Sequence, residues 1–300
     1  MRRKEKRLDC LRSGVDLCFA KSGEGLRGFF IVVAFLGVAC GVAHAAAYDD
    51  FARGVSANLQ GDPALAVTSF SAALAAGDLN PTLLPAAYRG RAIAYLRQGQ
   101  CKSAVGDLNE FIRLKPGDVQ GLELRSNASS CAGDYSAAES DLTELIGMRQ
   151  ERGVYWSRGR VRWRLKKFAA AADDFVHVAQ LDPKDAYAVL WLELSRARGG
   201  LDPGTGEQVL REIGNGDWPA PLARMFAGEA KPEDVASAAS RGDADKVANQ
   251  QCEADFYVAE WWLARKDVAS AKPLLDAAAE KCPKNFVEYD EARYELSTLK

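Results

Sequence analysis

Histidine is almost missing from this chain of 300 residues, with two in all, His44 and His177. Histidine-centred acid–base catalysis and His-rich metal sites therefore have little to draw on. Excess charge is missing too, since 39 Lys and Arg against 41 Asp and Glu leave −2 at pH 7. No overall positive field draws the chain to nucleic acid or to anionic lipid. The four cysteines beyond residue 45, Cys101, Cys131, Cys252 and Cys282, form no C-x-x-C pair and have no histidine nearby, which excludes zinc and thioredoxin-like chemistry. No G-x-S-x-G, H-E-x-x-H, Walker A or G-x-G-x-x-G string occurs. The stretch GGLDPGTGE, residues 199–207, has the glycines of a phosphate loop without its lysine or a preceding strand. What is present is ordinary for a folded chain: 48% hydrophobic and 27% charged residues with 26 Gly and 11 Pro, which excludes collagen-like and disordered sequences. A chain of this length buries the core of one large domain or two ordinary ones.

The first 45 residues read as a targeting segment. A basic lead-in precedes an apolar run from Phe29 to Val42, and Ala43-His44-Ala45 forms a small-x-small cleavage site. The run is shorter than the roughly 20 residues that span a bilayer, so 1–45 is expected to be a signal peptide, with a retained N-terminal anchor as the alternative. A lipid-attached Cys40 is a third option, but Gly37 stands where lipid-attachment sites usually carry Leu or Val. The leader holds 8 of the 39 basic and 4 of the 41 acidic residues, so after its removal 31 stand against 37, a charge of −6. The even count of remaining cysteines fits an oxidising compartment.

Beyond residue 45 one pattern recurs: a small residue, an aromatic, a glycine, an alanine, a large apolar residue four positions on, and a closing proline. It is clearest in YRGRAIAYLRQGQCKSAVGDLNEFIRLKP, where Tyr88, Ala92, Tyr95, Gly99, Ala104, Leu108, Phe111 and Pro116 fall in register. Other copies carry Gly54, Gly61, Ala66 and Phe70, then Gly133, Ala138 and Leu142, then Tyr155, Gly159, Ala171 and Phe175. Ser126 and Lys166 depart from the small residues usual at their positions. The pattern resembles the 34-residue tetratricopeptide repeat (TPR), which implies an all-α fold, a right-handed superhelix of helix-turn-helix repeats with a concave inner surface. Four repeats are expected over residues 46–183. A degenerate helical linker region follows over 184–250, with an amphipathic helix at Ala186–Arg198, another beginning at Gln208–Ile213, and two short helices marked by Pro219 and Pro232. A terminal TPR-like repeat and a capping helix close the chain over 251–300.

With its leader, four repeats, degenerate middle and a terminal segment CEADFY…WWLARKD…CPKNFVEYDEARYEL, the chain resembles periplasmic TPR proteins of the NlpI type. That resemblance implies a periplasmic or otherwise exported adaptor that brings proteases and cell-wall hydrolases together.

In a TPR the first helix of each repeat builds the inner wall. By register Arg89, Glu123, Asn127, Trp156, Arg160, Trp163 and Arg164 fall near that wall and are the candidate peptide-binding groove. Arginine would grip a carboxylate bidentately, and tryptophan would supply buried area. Aromatic core packing with solvated arginines accounts for the same residues equally well. His177, with no implied partner, reads as a partly exposed structural residue, Asp173-Asp174 as a solvated face, and Trp261-Trp262 as core of the last repeat. Repeat geometry chooses the disulfides: Cys252 with Cys282, at adjoining ends of the last hairpin, and Cys101 with Cys131, on successive antiparallel helices. The expected role is a non-catalytic exported scaffold that binds a protein or peptide in the cell envelope, with no catalytic residues, metal, cofactor or nucleic acid. Membrane attachment is expected only through a retained or lipidated leader, and a homodimer is compatible with the sequence. The alternatives are a carboxylate-dependent cell-wall glycan hydrolase and a membrane-anchored envelope assembly factor.

Overall fold

The computed structural model describes residues 36–183, 185–202 and 218–299, with side chains from residue 46 onward. The helix expected from Gln208 and most of the glycine-rich loop lie outside the described residues. So does most of the leader. The described residues form fourteen α-helices and no strand. They are α1 (Leu36–Gln60), α2 (Pro63–Ala75), α3 (Leu84–Arg97), α4 (Cys101–Leu114), α5 (Val119–Cys131), α6 (Tyr135–Met148), α7 (Arg152–Arg164), α8 (Phe168–Leu181), α9 (Ala186–Gly199), α10 (Ala220–Phe226), α11 (Pro232–Ala239), α12 (Ala244–Ala264), α13 (Val268–Lys281) and α14 (Val287–Thr298). Two compact units divide the chain, residues 1–98 with α1 to α3 and residues 99–300 with α4 to α14. The expected all-α class and the helix-turn-helix rhythm are both observed.

Short turns make that rhythm. Gly61 and Gly133 take the left-handed conformation, at φ 76° and 82°, and the aspartate after each caps the next helix. Asp62 accepts from the Leu65 amide and Asp134 from the Ala137 amide, both at 3.0 Å, which satisfies a helix-end donor. Lys166, the departure noted above, adopts the same left-handed turn at φ 57°. A side chain there is strained where glycine is not.

The expected close approaches hold in both units. In the first, Ala66 and Phe70 are buried, and a Cβ on Gly54 would stand 2.9 Å from the Phe70 ring. In the second, Ala104, Ala138 and Ala171 are buried, followed one turn later by buried Leu108, Leu142 and Phe175. Positions i and i+4 share a helix face, so each alanine admits the neighbouring helix and each large residue fills the groove beside it.

The expectation of an amphipathic helix at 186–198 is corrected. Every residue of α9 from Ala188 to Ser195 is buried, because α8 covers one side of it and α10 and α12 cover others. Its Trp191 is the hub of the large core, with ring centroids 5.5 Å from Trp163, 5.5 Å from Phe175 and 6.1 Å from Phe256. The two short helices after Pro219 and Pro232 and the closing α14 form where expected; the last hairpin α12–α13 also forms, but its first helix begins at Ala244, inside the stretch expected to be linker up to residue 250. Disulfides join Cys101 to Cys131 and Cys252 to Cys282, with Cα separations of 5.7 and 5.0 Å.

Candidate functional site

In the second unit α5 and α7 are the first helices of their hairpins, with α6 and α8 packed behind them. Their other faces line a groove of about 960 Å³. The groove's far wall is α14, which contributes Asp290, Glu291, Arg293 and Tyr294. Asn127, Ser130, Tyr135, Glu151 and Ser157 line the groove beside Leu142, Leu145, Val154 and Val161, so polar and apolar surface share the lining about equally.

Of the seven expected groove residues, Glu123, Asn127, Arg160 and Arg164 line it. Trp156 and Trp163 turn away. Trp163 is 1% exposed and packs its ring against Phe168 and Trp191, while half-buried Trp156 meets Phe175 and Trp191 edge-on. The two tryptophans do share a face, as their seven-residue spacing requires, but that face meets α8 and α9. Arg89 is half-buried on α3 in the first unit, whereas the other six residues belong to the second.

The arginines of α7 divide by helical position. Arg158 and Arg162 turn to Asp174 of α8, at 2.7 and 3.0 Å, and Arg162 also meets Glu139. Asp174 is therefore fully buried, which corrects the solvated reading of Asp173-Asp174 for the second residue; Asp173 is exposed. Arg125 of α5 grips Asp141 of α6 in the same way at 2.7 Å. Asp107, Asp141 and Asp174 recur at repeat spacing, a buried ladder whose period is written in the sequence beside the apolar pattern.

Arg160 and Arg164 instead reach across the groove. Both converge on Glu291 of α14, at 2.6 Å from Arg160 Nη2 to Oε1 and 2.8 Å from Arg164 Nε to Oε2. Arg164 also donates to the Tyr135 hydroxyl at 2.9 Å, and its guanidinium lies over the Tyr135 and Tyr294 rings. Burial opposes the charge of Arg164, but the charge of Glu291 and its hydrogen bonds outweigh that, so its pKa stands above the ordinary value. At another edge Arg149 pairs with Glu123 and, at 3.5 Å, with Glu151.

Behind the groove α14 buries Glu288, Glu291 and Glu295 on one face. Burial raises Glu288 to about 7; the charge of Glu253 adds to the rise, while a backbone hydrogen bond, Tyr257 and Arg160 oppose it. Glu253 accepts from Tyr187 at 2.8 Å and Trp218 at 2.7 Å, yet burial still raises its pKa. Burial raises Glu260 as well, against the pull of its partner Arg198. Spacings of three and four put these α14 glutamates on one face, but nothing local says that face turns inward.

His177 is exposed and stacks on Tyr155 with centroids 4.6 Å apart. Trp261 and Trp262 are half-buried against the core of the last repeat, and Arg265 covers Trp261 at 3.3 Å. Among the described residues no cluster of three or more His, Cys, Asp or Glu is placed to hold a metal.

The tetratricopeptide repeat family model matches residues 51–119 and 132–186. Among solved structures, a tetratricopeptide repeat protein from Parabacteroides merdae aligns with TM-score 0.54 at 17% identity, over 84% of this chain and 99% of its own. The C-terminal part of a TPR repeat-containing protein from Cytophaga hutchinsonii aligns with TM-score 0.47 at 16% identity, over 85% of this chain and 93% of its own. MamA protein gives TM-score 0.49 at 16% identity, over 56% of this chain and 90% of its own. At such identities the Parabacteroides likeness bears on the fold alone. Family match and fold agree on one statement: residues 51–119 and 132–186 of this chain are tetratricopeptide repeats.

Proposed function

We propose that this chain is a non-catalytic exported scaffold that holds a peptide segment of a protein partner in the groove between α5, α7 and α14. The observation that carries the reading is the groove itself, about 960 Å³ of open space with a mixed polar and apolar lining on the inner faces of two successive repeats. Asn127, Ser130 and Ser157 offer side-chain donors and acceptors to a peptide backbone, and arginines flank them. Three of the groove's four acids are engaged structurally rather than poised in pairs, since Glu123 and Glu151 meet Arg149 and Glu291 meets two arginines, which leaves exposed Asp290 alone. This favours the scaffold over a glycan hydrolase, which needs one free acid and one free base. Export is supported by the charged, apolar and small-x-small order of residues 1–45 and by the two disulfides, bonds that persist in oxidising compartments. The resemblance to NlpI-type adaptors extends the reading to proteases and cell-wall hydrolases of the envelope as partners.

A photoreactive amino acid at Ser157, an exposed groove position, should crosslink a discrete partner in intact cells. The same label at exposed Glu144 on α6 should not. Equal crosslinking from both positions would sink the groove reading.

A further inference from the structure

Within the groove one position is already built to hold a carboxylate. Arg160 and Arg164 stand one turn apart on α7 and aim both guanidinium groups at a single acid. Arg160 donates through Nε and Nη2 to Oε1 of Glu291 at 3.1 and 2.6 Å. Arg164 donates through Nε to Oε2 at 2.8 Å and through Nη2 to Oε1 at 3.1 Å. Tyr135 fixes Arg164 from the side, and Tyr294 donates its hydroxyl to the Arg164 carbonyl at 2.5 Å. The acid comes from more than 120 residues away in sequence, and its helix is held in an unusual manner. On the inward face of α14 the fully buried side chains are Glu291 and Ala292, with Glu288 and Glu295 beside them, and its Val287, Tyr289 and Leu296 are half-buried against the core. Charge-assisted hydrogen bonds, which an equivalent acid reproduces, thus join apolar packing against α13 and the core in holding α14 at the groove.

We propose that the groove's ligand is an acidic helical segment whose glutamate or aspartate takes the place of Glu291 on Arg160 and Arg164, and that α14 is the resident competitor for that position. The proposal rests on the reading of the groove as a binding site and names the chemistry of its occupant. A partner segment gains the arginine pair only when α14 yields it, so binding and release of α14 are one equilibrium.

The probe is a labelled synthetic peptide of residues 284–300, amidated at its C-terminus so that side-chain carboxylates alone are tested. It is titrated against the full chain and against full-chain Glu291→Gln, with helix content followed by circular dichroism. Glu291→Gln should bind the probe roughly ten- to a hundredfold more tightly than the unaltered chain, the worth of a charge-assisted hydrogen bond. A probe carrying Gln at position 291, or Arg160→Met added to the variant, should lose that gain. Equal binding by both chains, or no binding to a helical Glu291→Gln chain, overturns the proposal.

Hydrogen exchange on the unaltered chain keeps the proposal falsifiable if the variant misfolds. Excess probe should deprotect residues 287–298 while α12 and α13 stay protected, and unchanged protection of α14 overturns the idea. A short peptide with a free C-terminal carboxylate and no acidic side chain should not compete; competition by it overturns the side-chain assignment. Should these results fail while Ser157 still crosslinks a partner, the carboxylate assignment falls and the groove reading stands.

Discussion

Glu288→Gln separates the energetics of the buried acid cluster from those of the rest of the fold. Burial, with the charge of Glu253 adding to it, raises the Glu288 pKa from 4.5 to about 7. The folded chain therefore holds this proton more tightly than the unfolded chain does. Stability falls as pH rises from 4.5 towards 7, and the loss is complete above the folded value. Each tenfold change in proton affinity is worth about 1.4 kcal/mol, so the interval corresponds to roughly 3 kcal/mol. Glutamine fills the same space and never ionises, so the variant escapes that loss. Glu260, raised by burial in both proteins, cancels in the comparison, whereas the mutual repulsion of Glu253 and Glu288 is relieved in the variant and belongs to the measured difference. All six tryptophans lie between Trp156 and Trp262, so tryptophan fluorescence reports the second unit alone. Urea titrations at pH 5 and pH 9 should show the unaltered chain losing roughly 3 kcal/mol relative to Glu288→Gln between the two, or about 6–12 °C in melting temperature. Parallel pH profiles for the two proteins would refute the reasoning.

The other predictions concern packing, crosslinks, charge and processing. Trp163→Ala should cost roughly 3–5 kcal/mol and disturb the fold, because the ring fills the core beside Trp191; circular dichroism and denaturation check it. Replacing Cys252 and Cys282 by serine opens a loop with a sequence separation of 30, and on the loop-entropy account removes roughly 3–4 kcal/mol, measurable by urea titration. Exchanging Arg160, Arg164 and Glu291 together for Met, Met and Leu should leave stability unchanged or raise it by about 1–4 kcal/mol in the same titration, since buried ion pairs seldom repay their desolvation. Mass measurement of the protein recovered from cells should place its first residue near Ala46; an intact leader on soluble protein would count against export.

Local periodicity made the repeat hairpins legible. Ala66, Ala104, Ala138 and Ala171 with their large partners one turn on are a pattern of neighbours, and helix geometry converts such spacing directly into a buried face. The same geometry found Cys101 with Cys131, at adjoining ends of successive antiparallel helices, and Cys252 with Cys282 too, although α12 begins at Ala244 and so carries Cys252 two turns inside the helix rather than at its end. It failed for α9, whose burial depends on α10 and α12, helices reached only through the region least like a repeat. It also misassigned Trp156 and Trp163. Their common face follows from the spacing, but whether that face meets a core or a groove depends on Trp191 and Phe256, which arrive from later elements. Glu291 was invisible for a like reason: an acid on a terminal helix reads as solvated until the fold carries it to α7.

The acidic inward face of α14 also bears on why the groove lies where it does. A cap whose only task is to end a repeat stack needs an apolar inner face and a polar outer one. Here the inner face carries Glu288, Glu291 and Glu295, and arginines from α7 and α9 meet the last two. Apolar residues of similar volume would hold the same helix at no loss of stability. What the charges supply is direction, because Glu291 satisfies Arg160 and Arg164 together at a single position of α14 along α7. That position leaves Asn127 and Ser157 uncovered and brings Arg293 to the groove's edge. The ion pairs thus set the width of the groove, and a change at Glu291 alters its shape together with its charge.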